Sequence, residues 1–181
     1  MGMSWRFSRR SPVADPGLPR IGGPSQPGVE VSLHPHPFAP LSLVEEWQAL
    51  LPFTPDAPPA ATSLFIGRVR GTTAAGLPLE ALELEHYPGM SESQLLELAR
   101  ASAERHGVVA VRVAHRVGRM IPGEAIVVVA VLADRRGPAQ RCSRELLEAL
   151  KHDAPFWKRE WSEGLGAWVP GNTPLGEEEA D

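Results

Sequence analysis

Two lysines in the segment LKHDAPFWKREW, Lys151 and Lys158, are the residues whose types and spacing first suggest chemistry. If residues 156–161 form a strand, Lys158 shares one face with Phe156 and Glu160, because side chains alternate between the two faces. A lysine in an apolar wall can have a lowered pKa, which makes it a candidate base or nucleophile. The alternatives are structural: an edge-strand lysine that discourages aggregation, and a helix-end cation, Lys151, that stabilises the helix dipole.

Two pairs of arginines form a second candidate site. Arg68 and Arg70 end a predicted strand in FIGRVR, and residues two apart on a strand share a face that can hold one anion. Arg135 and Arg136 directly precede a predicted helix, whose free N–H groups also favour an anion such as a phosphate. Taken alone, each pair is more often a pair of solvated loop arginines. Their common position at strand ends, where loops build sites, favours a function.

Composition excludes several classes of protein. The chain has 181 residues, 43% of them hydrophobic, which is enough for one compact domain with a core. A net charge of −4 gives no global attraction for nucleic acid or an anionic membrane. The single cysteine, Cys142, excludes an internal disulfide, and the longest apolar run, 125–133, is too short to span a bilayer. Because the N-terminus lacks the apolar region of a secretory signal, we expect a cytoplasmic protein.

The elements that position these residues follow from hydrophobic periodicity and turn residues. The pattern predicts an α+β domain over residues 29–170, between a disordered N-terminal tail, 1–28, and an acidic C-terminal tail, 171–181. The predicted strands are 29–33, 64–69, 79–86, 109–117, 125–133, 156–161 and 167–169, and the predicted helices are 42–51, 91–106 and 138–152.

Helix ends are predicted from capping residues. Ser42 and Glu45 have the spacing of a capping box at the first helix, and Ser91 and Gln94 have it at the second. Gly107 is expected to end the second helix, because glycine adopts the left-handed conformation that closes many helices.

The histidines and the cysteine are weaker candidates. His34 and His36, separated by a proline in an early loop, are a poor metal site. His115 alternates with valines in a predicted strand, so we expect a core histidine with its polar atoms satisfied. Cys142 lies inside a predicted helix and is expected to be a small buried apolar residue.

Several motifs together resemble one protein family. FIGRVR, LELEHYPGM, HRVGRMIPGE, LKHDAPFWKRE and a closing WV have the order and spacing of the large, catalytic subunit of molybdopterin synthase. The resemblance spans residues 29–169. It implies an α/β-hammerhead fold with a mixed sheet and about three helices, in an enzyme that needs no metal or cofactor.

The resemblance also implies an activity and partners. Sulfur passes from the thiocarboxylated Gly-Gly C-terminus of a small ubiquitin-like subunit to cyclic pyranopterin monophosphate (precursor Z), which becomes molybdopterin in molybdenum cofactor biosynthesis. Two large subunits form a central homodimer with a small subunit at each end, a heterotetramer. An outside donor agrees with the composition, since one cysteine cannot supply two sulfur atoms.

Site residues are carried over by motif. Lys151 and Lys158 match the catalytic pair: Lys158 for acid–base work or oxyanion stabilisation, and Lys151 for steering the thiocarboxylate or the intermediate. The positions that match substrate-binding residues are Arg68, Val69, Arg70, Arg135, Arg136, Arg159 and Glu160. Arg135 replaces the histidine that the family usually carries there, and an arginine sometimes found after the closing WV is Asn172 here.

Two other functions compete with the sulfurtransferase. A non-catalytic relative that keeps the dimer and binds the small subunit's tail is favoured by the replaced histidine, and disfavoured by the presence of both lysines. A nucleic-acid binder is disfavoured by the net charge of −4 and by the lack of an aromatic stacking platform flanked by basic residues.

Overall fold

The computed structural model describes residues 27–53, 58–73 and 75–169, which form three helices and eight strands. In chain order the elements are β1 (Gly28–His34), α1 (Pro40–Leu50), β2 (Ala61–Arg68), β3 (Ala81–His86), α2 (Met90–His106), β4 (Ala110–Arg116), β5 (Gly118–Met120), β6 (Ala125–Ala133), α3 (Arg136–His152), β7 (Phe156–Ser162) and β8 (Leu165–Trp168).

Four strands form the larger sheet in the order β1-β4-β6-β2. β1 pairs with β4 in parallel, and the other pairs are antiparallel, so the sheet is mixed as expected. The apolar run of β6 lies in the interior of this sheet because it has a strand on each side and helices on both faces. Its sequence, AIVVVAVLA, shows the near-continuous apolar pattern of a strand covered on both faces.

The helices cover the two faces of the larger sheet. α2 and α3 pack on one face around Leu95, Val113 and Leu146, all fully buried. α1 covers the other face through Val44 and Trp47. The domain is therefore built in layers around two cores, one on each side of the same sheet.

The smaller sheet runs in the order β5-β3-β7-β8 and is antiparallel throughout. It packs around a third apolar cluster, with Leu82, Leu84 and Met120 buried and Phe156 at its margin. β7 follows α3 directly, so the chain passes from the larger sheet's helix layer into the smaller sheet at that point.

Seven of the eight strands lie close to predicted strands, but β5 was not predicted. Both predicted capping boxes are wrong. α1 begins at Pro40, whose missing N–H costs nothing in the first turn of a helix, so Ser42 lies inside the helix. α2 begins at Met90, and Glu92 accepts from the backbone N–H of Gly89 at 2.6 Å. Gly107 ends α2 in the left-handed conformation, as predicted (φ 58°).

Several other boundaries also differ from the prediction by one to three residues. β1 begins at Gly28, which had been assigned to the N-terminal tail, because its N–H bonds the Val109 carbonyl oxygen at 3.0 Å. β2 begins at Ala61, inside the predicted proline loop, and α3 begins at Arg136 rather than Pro138. The rest of the predicted tails, residues 1–26 and 171–181, lie outside the described residues.

Two classes of feature are not found in the part of the chain that the structure describes. No helix there is long and apolar enough to cross a membrane. No group of three or more His, Cys, Asp or Glu side chains there is arranged to hold a metal ion.

Candidate functional site

A cavity of about 640 Å³ lies between the two sheets and α3. Its walls come from β2 and the residues after it, β3, β4, β6, α3 and β7. Much of the wall is apolar, with Leu79, Leu84 and Phe156 as examples, and five cationic side chains interrupt it: Arg68, Arg70, Arg144, Lys151 and Lys158. An apolar cavity with a few charged groups is the usual form of a small-molecule site.

Both lysines of the chain line this cavity. The sequence contains 16 arginines but only two lysines, and the structure brings Lys151 and Lys158 to the same cavity from different elements. This scarcity is visible in the sequence alone and is a signal that points to the pair without any motif. Lysine differs from arginine in that its pKa shifts readily in a site, so it suits proton transfer.

One face of α3 forms one wall of the cavity. Gln140, Ser143, Leu147 and Lys151 all line the cavity, and residues three or four apart lie on the same face of a helix. The opposite face of α3 is in the core with Leu146, which is fully buried. Lys151 lies in the last turn, with no carboxylate within salt-bridge distance among the described residues.

β7 places Lys158 next to a buried carboxylate. Lys158 Nζ lies 3.3 Å from Glu160 Oε1, and Arg70 Nη2 lies 3.0 Å from the same oxygen. The Glu160 residue is only 7% exposed. Burial alone raises the pKa of Glu160, but the hydrogen bond from Arg70 and the charge of Lys158 outweigh it and lower the pKa below its usual value. The carboxylate therefore stays ionised at neutral pH and fixes both cations.

Glu160 does not itself line the cavity. It pairs in register with Leu82 of β3 and Ala167 of β8, in the middle of the smaller sheet, and lies behind Lys158 and Arg70. The predicted sharing of one face by Phe156, Lys158 and Glu160 agrees with the 3.3 Å contact.

A break in the β2–β6 register places the first arginine pair. The pairing shifts between Gly67 and Arg68, and Val69 then bonds Glu124 and Gly123 through its backbone. A Cβ at Gly67 would lie 2.8 Å from a methyl carbon of Val127, so this position requires glycine. Arg68 donates to the Gly123 carbonyl oxygen at 3.0 Å, whereas Arg70 reaches Glu160.

Arg159 was expected to line the pocket, and the structure places it on the opposite face of β7. Its guanidinium lies 4.1 Å from the ring centroid of Trp168, and it forms ion pairs with Glu83 at 3.7 Å and Glu85 at 3.3 Å. The physical reason is strand alternation, which sends Lys158 and Arg159 to opposite faces.

Arg135 and Arg136 lie at the opposite end of α3 from Lys151. Arg135 is the residue before the helix, and Lys151 is in its last turn. At 1.5 Å per residue the backbone of Lys151 is about 22 Å from that of Arg136. Neither arginine is among the residues that line the described cavity, so this chain alone does not bring them to the lysines.

His115 was expected in the core, and it lines the cavity instead. Its ring stacks on Phe156, with centroids 4.5 Å apart and an interplanar angle of 29°. Burial lowers its pKa to about 4, although the hydrogen bond to the Arg116 carbonyl acts in the opposite direction. Alternation with the valines predicted its side of the sheet correctly, but the pattern does not show where the core ends and the cavity begins.

The prediction for Cys142 is confirmed, and His34 does not line the cavity. His34 bonds Ser32 at 2.7 Å and contacts the Phe38 ring, and it belongs to no metal-binding group there. Cys142 is fully buried beside Ser102, and burial raises the pKa of its thiol.

The cavity has the cationic groups needed to bind an anionic substrate and to stabilise negative charge that develops on it. Lys158 and Arg70 are fixed by one buried carboxylate, and Lys151 faces the same cavity without such a partner. Cations held in place in a largely apolar cavity stabilise a negative charge more strongly than they do in water.

The chain is similar to one family of known proteins. The family model "MoaE protein" matches residues 38–153. A relative in Vibrio cholerae, a molybdopterin synthase catalytic subunit, is 37% identical over 128 residues, which cover 71% of this chain and 83% of the relative.

Solved structures agree with that similarity. The molybdopterin biosynthesis MoaE protein from Burkholderia ambifaria has a TM-score of 0.64 at 31% identity, covering 83% of this chain and 94% of that one. A Helicobacter pylori complex of subunits 1 and 2 of molybdopterin-converting factor has a TM-score of 0.62 at 18% identity, covering 83% and 92%, and shows the shared fold.

Proposed function

Because this chain belongs to the MoaE protein family, we propose that it is the catalytic subunit of a molybdopterin synthase. It transfers sulfur from the thiocarboxylated C-terminus of a small ubiquitin-like subunit to cyclic pyranopterin monophosphate, which yields molybdopterin. The observation that carries the proposal is the cavity where both lysines of the chain lie beside Arg70 and the buried Glu160.

Lys158 is the proposed acid–base or oxyanion-stabilising residue. Glu160 holds its ammonium group at 3.3 Å, so the cation does not have to be ordered when the substrate arrives. When water adds to the acyl carbon of the tail, negative charge develops on the acyl oxygen, and a fixed cation stabilises it. Collapse of this intermediate breaks the bond between the acyl carbon and sulfur, which leaves the sulfur on the pterin and the tail as a carboxylate.

Lys151 is the proposed residue that steers the thiocarboxylate. It lies on the wall formed by α3, and no described carboxylate competes for its charge. An unpaired cation at an apolar wall attracts an incoming anionic tail and helps to fix its position.

Arginines are the proposed ligands of the substrate phosphate. Arg68 and Arg70 line the cavity, with Val69 between them, and Arg70 remains 42% exposed although it is paired with Glu160. Arginine binds phosphate through two parallel hydrogen bonds, which suits this role. Arg159 and Glu160 were expected to line the pocket. From the positions described above, we propose instead that Arg159 stabilises the smaller sheet and that Glu160 holds Arg70 and Lys158, without contacting the substrate.

Partners follow from the proposed reaction. The donor is a small subunit, and the Helicobacter pylori structure is described as a complex of two subunits. We place two copies of this chain in a heterotetramer with two small subunits, in the cytoplasm. Within such a homodimer, Arg135 and Arg136 would serve the cavity of the second copy, because they lie about 22 Å from Lys151 of their own chain.

Reconstitution tests the proposal. The purified chain is mixed with a thiocarboxylated small subunit and cyclic pyranopterin monophosphate, and molybdopterin is measured by fluorescence after oxidation. Product from the wild type and its loss in Lys158→Ala are expected. Lys158→Arg separates the two roles: an arginine restores electrostatic stabilisation but cannot release a proton at neutral pH. An inactive wild type would contradict the proposal.

A non-catalytic relative that binds the small subunit's tail is the second candidate function. The observation in its favour is Arg135, where the family usually has a histidine, because a guanidinium does not release a proton near neutral pH. Under this alternative the wild type binds the small subunit without forming product, and Arg135→His restores activity. Activity in the wild type excludes it.

A further inference from the structure

His115 is the histidine of the cavity wall. The chain has six histidines, all among the described residues, and His115 alone lines the cavity. It belongs to β4, an inner strand, whereas β2 forms the edge of the same sheet. Two strand spacings put His115 about 10 Å inward from that edge. Among the strands of the larger sheet that line the cavity, the strand of His115 is therefore the one furthest from that edge, and its ring stacks on Phe156.

The hydrogen bond of His115 determines its tautomer. Nδ1 lies 2.8 Å from the backbone carbonyl oxygen of Arg116. A carbonyl oxygen only accepts, so Nδ1 carries the proton and Nε2 of the neutral ring carries the lone pair. No hydrogen bond to Nε2 is found among the described residues. Nε2 is therefore an acceptor available to a ligand in the cavity.

The acceptor side chains on this wall are Ser63 from β2, Gln140, Ser143 and Glu148 from α3, and His115, which among them lies on the inner strand β4. The cationic side chains, among them Arg68, Arg70 and Lys158, donate hydrogen bonds and cannot accept them. Because burial lowers the pKa of His115 to about 4, the ring stays a neutral acceptor at neutral pH. A ligand that has both a phosphate and ring N–H groups needs both kinds of partner, and the phosphate uses the cations.

On the basis of the proposed function, we propose that His115 Nε2 accepts a hydrogen bond from a ring N–H of the pterin and thereby orients it. The pterin is favoured over the small subunit's tail by position. A tail attached to a protein enters from the open side, so the small molecule that meets its end occupies the inner part of the cavity, and His115 belongs to the lining strand of the larger sheet that is furthest from the β2 edge.

Equilibrium binding tests the inference. The affinity of the full-length chain for cyclic pyranopterin monophosphate is measured by anaerobic calorimetry, without the small subunit. His115→Phe keeps a ring against Phe156 but removes the acceptor, and a buried donor left without a partner should weaken binding about 5- to 100-fold. His115→Gln returns an acceptor oxygen near Nε2 and should recover most of that loss. In turnover, KM should rise while kcat is nearly retained.

His34→Phe is the matched control. His34 is also partly buried, bonds a neighbour and contacts an aromatic ring, Phe38, but it does not line the cavity. It should leave pterin affinity unchanged.

A measurement on the wild type needs no variant: the ¹⁵N shift of His115 Nε2 should move when the pterin is added, because that nitrogen becomes a hydrogen-bond acceptor.

Three outcomes would overturn the inference: wild-type pterin affinity in His115→Phe, an unmoved Nε2 shift at saturating pterin, or weakened binding of the small subunit with pterin affinity intact. Failure of the proposed function looks different, since the wild type would then neither bind the pterin nor form product.

Discussion

The two faces of β7 carry similar residues and do different things. Toward the cavity, Lys158 follows Phe156 and pairs with the buried Glu160. Toward the outside, Arg159 lies over Trp168 and pairs with Glu85, a half-exposed carboxylate. Each face combines a cation, an aromatic ring and a carboxylate. Only the first face contributes side chains to the cavity described above.

The difference teaches that local chemistry does not define a site. On the outer face the terminal nitrogens of Arg159 form ion pairs and its guanidinium lies over aromatic rings, contacts that stabilise the β3–β7–β8 sheet. On the inner face one carboxylate holds two cations toward space that a substrate can occupy. The same types of contact therefore produce a structural surface on one side and a cavity wall with two oriented cations on the other.

Alanine substitutions at the two adjacent cations should give the largest contrast. Lys158→Ala should lower kcat at least about 100-fold, because it removes a group placed for proton transfer or charge stabilisation. Arg159→Ala should stay within about threefold of the wild type if a surface cation contributes only to stability. Sulfur transfer is measured in the reconstituted complex, with circular dichroism as the folding control. Equal losses would remove the functional distinction between the faces.

Neutralising one carboxylate on each face should give the next largest effect. Glu160→Gln leaves Arg70 and Lys158 without their shared partner and should cost about 1–3 kcal/mol of unfolding free energy. Glu85→Gln, on the exposed face, should cost less than about 0.5 kcal/mol. Urea unfolding at pH 7 measures both. A larger loss for Glu85→Gln would contradict the comparison.

Low pH should reduce the difference in unfolding free energy between the wild type and Glu160→Gln. The folded-state pKa of Glu160 lies below its unfolded value, despite burial, because Arg70 and Lys158 lower it. The carboxylate's contribution is therefore fully present above the unfolded pKa, about 4.3, and is lost as pH falls through the folded pKa. The gap in unfolding free energy between wild type and Glu160→Gln should narrow below about pH 4. A gap that stays constant from pH 7 to pH 3 would contradict this.

The outer aromatic contact should give the smallest effect. Trp168→Leu removes the ring beneath Arg159 but keeps an apolar side chain, and should cost about 0.5–1 kcal/mol, the usual size of a partly exposed cation–π contact. Unfolding midpoints measure the cost, and sulfur transfer should not change. Lost activity at unchanged stability would mean that the outer face also takes part in function.

Sequence patterns predicted the elements better than their ends. The run of β6 was predicted with its boundaries correct, because nine apolar residues in succession leave few alternatives for a buried strand. The capping boxes failed because Ser–x–x–Glu spacing is common, and Ser91 is instead buried and accepts from the Tyr87 N–H at 3.2 Å. Local rules do not contain that tertiary contact.

The alternation of side chains along a strand predicted part of the candidate site. A period of two separates Lys158 from Arg159, yet the motif had grouped them as neighbours in one pocket. The role of Glu160 depends on Arg70, which follows β2, is 90 residues away in sequence and comes close only in the folded domain. Such contacts depend on sheet order, and no single-sequence pattern records it.

The presence of both lysines in one cavity has a practical consequence for labelling. Reagents that acylate or methylate primary amines meet only Lys151, Lys158 and the chain's α-amino group, since every other basic side chain is an arginine or a histidine. Apart from the α-amino group, amine labelling of this protein is therefore labelling of the cavity wall. Protection of the two positions by a bound ligand would report occupancy of the cavity residue by residue, by mass spectrometry and without a mutation.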